Sequence, residues 1–117
     1  MLDKPTVAII IVNWKKYELT RNCINSVEKS SFKNFKIILI DNESQNDFSD
    51  EINKNKKIYI IKNKNNEGFA RANNQGIKYS LKNGFDYVLL LNNDTLITNN
   101  LLDSLIKQSN TLNQKII

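Results

Sequence analysis

The sequence predicts an α/β protein built on a doubly wound, mostly parallel sheet. Short runs rich in Ile and Val alternate with polar segments of helical period, and the first run is too continuously apolar to have one face in water. Strands that alternate with helices imply right-handed crossovers, which make neighbouring strands parallel. At 117 residues, 40% of them hydrophobic, the chain has material for one core, and residues 1–117 read as a single domain.

The first strand is "TVAIIIVN", Thr6 to Asn13, nearly all apolar. Leu19, Cys23 and Val27 then recur at intervals of four with Ile24 beside them, which predicts an amphipathic helix from about Glu18 to Ser30 with Cys23 in the core. "FKIILID" (Phe35 to Asp41) is the second strand and "IYIIKN" (Ile58 to Asn63) the third, with a short helix expected from Asp47 to Asn53 between them. A longer helix is expected from Phe69 to Asn83, stopping at Gly84, where glycine accepts the left-handed backbone of a helix end. "DYVLLLN" (Asp86 to Asn92) is the fourth strand, and Leu101, Leu102, Leu105 and Ile106 mark a last helix.

Composition excludes several classes. One cysteine, Cys23, allows no internal disulfide, and with no histidine there is no Cys/His metal site, so a metal would have to bind oxygen. The apolar run Val7 to Val12 is too short for a signal-peptide core or a membrane span. The expected location is the cytoplasm, with peripheral contact at the inner face of the membrane compatible with it. The net charge of +5 comes from fifteen lysines and two arginines dispersed along the chain, and the densest patch, Asn53 to Asn66, offers no aromatic platform beyond Tyr59. Nucleic acid is therefore not an expected partner. No G-x-G-x-x-G or P-loop can be built from Gly68, Gly76 and Gly84. A phospho-receiver domain would need acids where Asn13-Trp14 and Lys62-Asn63 stand.

In such sheets ligands bind outside the carboxyl ends of the strands. The first strand ends on Asn13-Trp14, the second on Asp41-Asn42 and the fourth on Asn92-Asn93-Asp94. The third leads into "NKNNEGFARANNQG", where Gly68 can turn tightly before a helix whose first amides are free to meet phosphate. Oxygen ligands, an acceptor carboxylate and an anion-friendly turn together suit a metal-bound nucleoside diphosphate. Trp14 is expected to be a packing residue at the sheet edge.

Four pieces in order, "AIIIVNWKKYELTRNCINSV", "IILIDNES", "NEGFARANNQGI" and "VLLLNNDT", give the chain a family resemblance. It resembles the amino-terminal half of an inverting, family 2 glycosyltransferase of the GT-A fold, rhamnosyltransferase-like. The resemblance implies that Asp41 holds the nucleobase, uracil or thymine in preference to guanine, with Asn13 and Asn42 near base and ribose. Gly68, Arg71 and Asn93 would lie close to the nucleotide. Asp94 matches the last position of the family's Asp-x-Asp motif and would ligate Mg2+ or Mn2+, with Asn92 where the first acid usually stands.

The implied donor is a UDP- or dTDP-sugar and the implied acceptor a glycan or lipid-linked molecule. The family's catalytic base is a carboxylate of the carboxyl-terminal half, and no residue here matches it. The chain thus reads as the amino-terminal part of a longer transferase, and a homodimer would cover the sheet edge left open. The other reading is a non-catalytic module derived from a transferase half, which binds a nucleotide or only a partner chain.

Overall fold

The computed structural model describes residues 5–44, 48 and 50–112. Its elements are β1 (Val7–Asn13), α1 (Tyr17–Glu28), β2 (Phe35–Asp41), α2 (Asp50–Asn53), β3 (Ile58–Lys62), α3 (Phe69–Lys82), β4 (Tyr87–Asn92) and α4 (Leu101–Leu112). The predicted α/β class holds: four strands form one sheet in the order β3-β2-β1-β4, and every pair is parallel.

The order explains which helix lies on which face. From β1 the chain steps outward to β2 and β3, then returns past β1 to β4. When the direction of travel reverses, a right-handed crossover must change face. Accordingly, one apolar layer joins Ile9, Ile11, Ile37 and Leu39 to Cys23, Ile24 and Val27 of α1, Ile52 of α2, and Leu102 and Ile106 of α4. The opposite layer joins Ala8, Ile10, Val12, Ile38 and Ile40 to Ala72, with Ile77 and Tyr79 of α3 packed against it. All seven residues of β1 are buried because both faces are covered, and each deeply buried Ile or Leu contributes roughly 1.5–3 kcal/mol of apolar burial.

The start of the sheet is pinned by Asp86, whose Oδ2 accepts from the Thr6 amide at 2.8 Å and the Thr6 hydroxyl at 3.1 Å. α3 ends as expected at Gly84 (φ +74°). There the Phe85 amide donates to the Ser80 carbonyl and the Gly84 amide to the Leu81 carbonyl, a paired closure that satisfies the last helical acceptors.

Two expectations are corrected. Leu19 is not part of the apolar stripe of α1: it is 45% exposed, and Thr20 takes the inward place with Cys23, Ile24 and Val27. A spacing of four advances about 40° beyond a full turn at each step, so Leu19 has drifted off the face that Val27 occupies, whereas 20-23-24-27 stays on it. The second helix is the single turn Asp50–Asn53, shorter than the expected span, and Asp47 lies outside the described residues.

Candidate functional site

β1 and β4 flank the point where the chain's direction of travel reverses, and the carboxyl ends of β1, β2 and β4 lie side by side there. In register, Asn13 is opposite Asp41 across the β1-β2 pair, and Val12 is opposite Asn92 across β1-β4. The alternation of side chains along a strand then sorts the polar residues between the two faces.

On the α1 face, Asn13 and Asp41 are fully buried. Asn13 Nδ2 donates to Asp41 Oδ1 at 3.0 Å, and its Oδ1 accepts from the Thr20 hydroxyl at 2.6 Å. Asp41 Oδ2 accepts from the Tyr17 hydroxyl at a longer 3.4 Å. The second carboxylate oxygen is the one whose acceptor capacity a base N–H could share or take over.

On the α3 face a cavity of about 320 Å³ opens, lined by Val12, Trp14, Lys16, Asn42, Asn66, Gly68, Phe69 and Asn93. Its floor is the carboxyl edge of β1 and β2, and one wall is the start of α3. Gly68 takes φ +83° ahead of that helix, so its first amides, which have no partner within the helix, begin beside the cavity. Asn66 Oδ1 accepts from the Gly68 amide at 3.0 Å and from Asn42 Nδ2 at 3.2 Å, while Asn42 Nδ2 also reaches the Gly68 carbonyl at 3.4 Å. Asn63 Nδ2 donates to Asn42 Oδ1 and to Gln75 Oε1, both at 2.7 Å. Asn42 therefore acts on the turn that carries Gly68: its amide is engaged by protein groups on both sides.

β4 ends in a turn closed by the Thr95 amide donating to the Asn92 carbonyl at 3.1 Å. Asn92 and Asp94 are exposed there, and Asn93 is half-buried at the cavity wall. Asn93 Nδ2 donates to the Thr20 hydroxyl at 3.1 Å, so it joins the cavity to the buried pair on the other face. Cys23 Sγ lies under the same turn, 3.6 Å from the Asn92 carbonyl.

Of the sequence-predicted residues, Asn42, Gly68 and Asn93 line the cavity, Asn13 and Asp41 form the buried pair beside it, and Asn92 and Asp94 sit on the adjoining turn. Arg71 is not part of the lining; its guanidinium is largely exposed and pairs with Glu67 at 3.4 Å. Trp14 is corrected: it is 47% exposed and forms a cavity wall, with the Lys15 ammonium 5.0 Å from its ring. The positive φ of Lys15 (63°) turns the chain just after β1, which takes Trp14 out of the sheet's packing.

Sequence reasoning misses Thr20, Lys16, Phe69 and the Asn63-Gln75 pair. For Thr20 a signal exists, a hydroxyl at the first position of the 20-23-24-27 face.

Among the described residues no three Asp, Glu, Cys or His side chains cluster as a closed metal cage. Asn92 and Asp94 are both exposed on the turn after β4, and a hard cation held by few protein oxygens keeps several waters and takes phosphate oxygens into its shell.

Fold and site together define a GT-A-type α/β domain, with its polar groups gathered at the carboxyl edge of a parallel sheet. The family model of glycosyl transferase family 2 matches residues 8–117, and the chain belongs to that family. It is 30% identical over 84 residues to the dTDP-rhamnosyl transferase RfbF of Shigella flexneri, covering 72% of this chain and 28% of that protein. Among solved structures it resembles the mannosyltransferase PcManGT from Pyrobaculum calidifontis in complex with GDP-Man and Mn2+ (TM-score 0.78, 13% identity, 91% of this chain and 32% of that one). It also resembles S. aureus TarS 1-349 in complex with UDP-GlcNAc (TM-score 0.77, 15% identity, 91% and 31%). The chain spans less than a third of each.

Proposed function

We propose that this chain is the donor-binding part of a longer, inverting glycosyltransferase that takes a UDP- or dTDP-sugar, with Mg2+ or Mn2+, and transfers the sugar to a glycan or lipid-linked acceptor. The observation that carries the reading is the cavity at the carboxyl edge of the sheet, lined by Asn42, the Gly68 turn and Asn93, with Asp41 buried beside it and the Asn92–Asp94 turn adjoining it. The names of the relatives agree with a nucleotide-sugar donor: dTDP-rhamnosyl in one, UDP-GlcNAc and GDP-Man with Mn2+ in others.

Each part has a physical role in this reading. Asp41 accepts from the ring N–H of uracil or thymine, with Asn13 holding its carboxylate in place. The amino end of α3 and the Lys16 ammonium at the cavity wall offer positive potential to a diphosphate. Trp14 and Phe69 wall the cavity and offer aromatic surface to a ligand. A divalent cation at Asp94 and Asn92 would neutralise charge on the departing diphosphate.

The acceptor hydroxyl attacks the anomeric carbon from the side opposite the diphosphate and must lose its proton as it does so. Among the described residues the cavity lining contains no carboxylate, so that base is assigned to a further part of the parent chain. The same lack favours a second reading, a module that binds the nucleotide without turnover. Among the described residues no helix is long and apolar enough to cross a membrane.

The test is calorimetric titration with UDP and dTDP, in Mn2+ and again in EDTA. Asp41→Ala is expected to weaken nucleotide binding at least tenfold in both buffers, as loss of a hydrogen bond to a charged group would. Asp94→Ala should remove only the Mn2+-dependent part. Wild type and both variants behaving alike would overturn the site assignment. A folded chain that binds neither nucleotide would overturn the donor reading. Tight nucleotide binding with no product from the full parent chain and an acceptor would favour the module without turnover.

A further inference from the structure

The buried side of the site contains a hydrogen-bond chain that runs in one direction. Asn93 Nδ2 donates to Thr20 Oγ1 (3.1 Å), Thr20 Oγ1 to Asn13 Oδ1 (2.6 Å), and Asn13 Nδ2 to Asp41 Oδ1 (3.0 Å). A hydroxyl has one proton, and here Thr20 commits it to Asn13, so the same oxygen is left to accept from Asn93. The chain ends on a carboxylate, and each donor is polarised by the next.

Thr20 is 0% exposed on a helix face whose other inward residues are Cys23, Ile24 and Val27. A hydroxyl buried among such neighbours is costly unless both its donor and acceptor capacities are met, and here they are. One hydroxyl thus spans from the carboxyl end of β2 to the turn after β4, with β1 between them.

We propose that Thr20 is a positioning residue that couples Asp41, at the base end of the donor site, to the Asn92–Asp94 turn, at its metal end. Thr20 touches neither nucleotide nor metal. It sets the rotamer of Asn93 at the cavity wall through the amide proton it accepts, and it sets Asn13 against Asp41 through the proton it gives. Occupation of Asp41 by a base is transmitted to the turn through this relay, so that nucleotide and divalent cation favour each other's binding. By linkage the effect is reciprocal. The inference rests on the donor-site reading above, and its test has one arm that does not.

In the first arm, UDP and dTDP affinities are measured with Mn2+ and with EDTA for wild type, Thr20→Val and Thr20→Ser. The valine keeps the shape of threonine and lacks the hydroxyl; the serine restores it. Thr20→Val is expected to reduce the Mn2+ enhancement of nucleotide affinity about tenfold, with a smaller change in EDTA, and Thr20→Ser to retain most of it. A merely structural role would weaken binding equally in both buffers, and that outcome overturns the proposal.

The second arm uses the ligand-free protein. Asp41→Asn is introduced into wild type and into Thr20→Val, and the backbone amide NMR signals of Asp94 and Thr95 are followed. The substitution should displace those signals in the first background and leave them nearly unmoved in the second; equal displacement in both overturns the proposal. Should Thr20→Val fail to fold, Asn93→Ala cuts the same relay from its half-buried outer end and serves as the second background. Absence of nucleotide binding by wild type would sink the donor-site reading, and the NMR arm would still decide the relay.

Discussion

Cys23 and Asp41 are both buried polar side chains near the carboxyl edge, and their surroundings give them opposite character. Asp41 is met by two donors, Asn13 and Tyr17, which suit an anion. Cys23 sits in apolar company, and burial pushes its thiol from 9.0 up to about 11; a hydrogen bond from the Thr95 backbone opposes the shift and the Asp94 charge adds to it. The thiolate is the reactive form, so at neutral pH native Cys23 should be inert. In EDTA, iodoacetamide is expected to leave the folded protein unmodified and to label it once denaturant is added, as mass spectrometry would read; equal labelling of both would show the thiol to be accessible. The raised value also fixes a sign for stability. The folded state favours the protonated thiol, so this contribution is complete below about pH 9 and is lost as the pH climbs towards about 11. Cys23→Ala should lack that part of the alkaline loss, and an identical alkaline profile in both proteins would assign the loss to other groups.

At the scale of elements, the close approach of α3 to β1 depends on Gly76. A Cβ there would stand 2.6 Å from Ile10 Cγ2 and 3.0 Å from both Cγ1 and Cδ1, and Ile10 is itself fully buried. Overpacking of that kind costs about 1–3 kcal/mol, while exchanging a helical Gly for Ala returns up to about 1 kcal/mol of propensity. Gly76→Ala is therefore expected to destabilise the fold by about 1 kcal/mol and to lower Tm by about 4 °C; a rise in Tm would mean that the Ile10 side chain yields freely.

The same spacing shows what a sequence can and cannot disclose. β1 and β2 are legible because a strand covered on both faces reads as an unbroken apolar run, and α3 because Gly84 marks its end. Asn13, Asp41 and Asp94 are legible as polar residues directly at or after strand ends. Asn63 and Gln75 act through partners on other elements, so nothing local distinguishes them from ordinary helix or loop residues, and Thr20 carries only the mark of a hydroxyl on an otherwise apolar helix face. Leu19 misleads because an interval of four matches a helical stripe only over short distances.

For the whole molecule, the order β3-β2-β1-β4 places β4, next to the switch point, at an edge, and among the described residues no strand pairs with its outer side. Leu90, opposite Ile10 in register, belongs to the α3 face of the sheet, yet it is 38% exposed because α3 packs mainly over β1 and β2. A free edge with an apolar side chain standing over it is a template for pairing with another chain. The net charge of +5 opposes contact between two copies, and salt screens that repulsion without weakening apolar contact. Self-association through β4 should therefore be weak at low ionic strength and strengthen as salt is added, the reverse of an association held by opposite charges. Sedimentation velocity over a range of protein concentrations, at low and at high salt, reads this directly. Leu90→Lys, which adds charge at the edge and removes a side chain that is already partly in water, is expected to abolish the salt-promoted species with less than about 1 kcal/mol lost from the fold. Association that persists in Leu90→Lys, or that disappears as salt rises, would place the contact elsewhere on the molecule. A chain that stays monomeric throughout would show that the free edge of β4 does not by itself drive association.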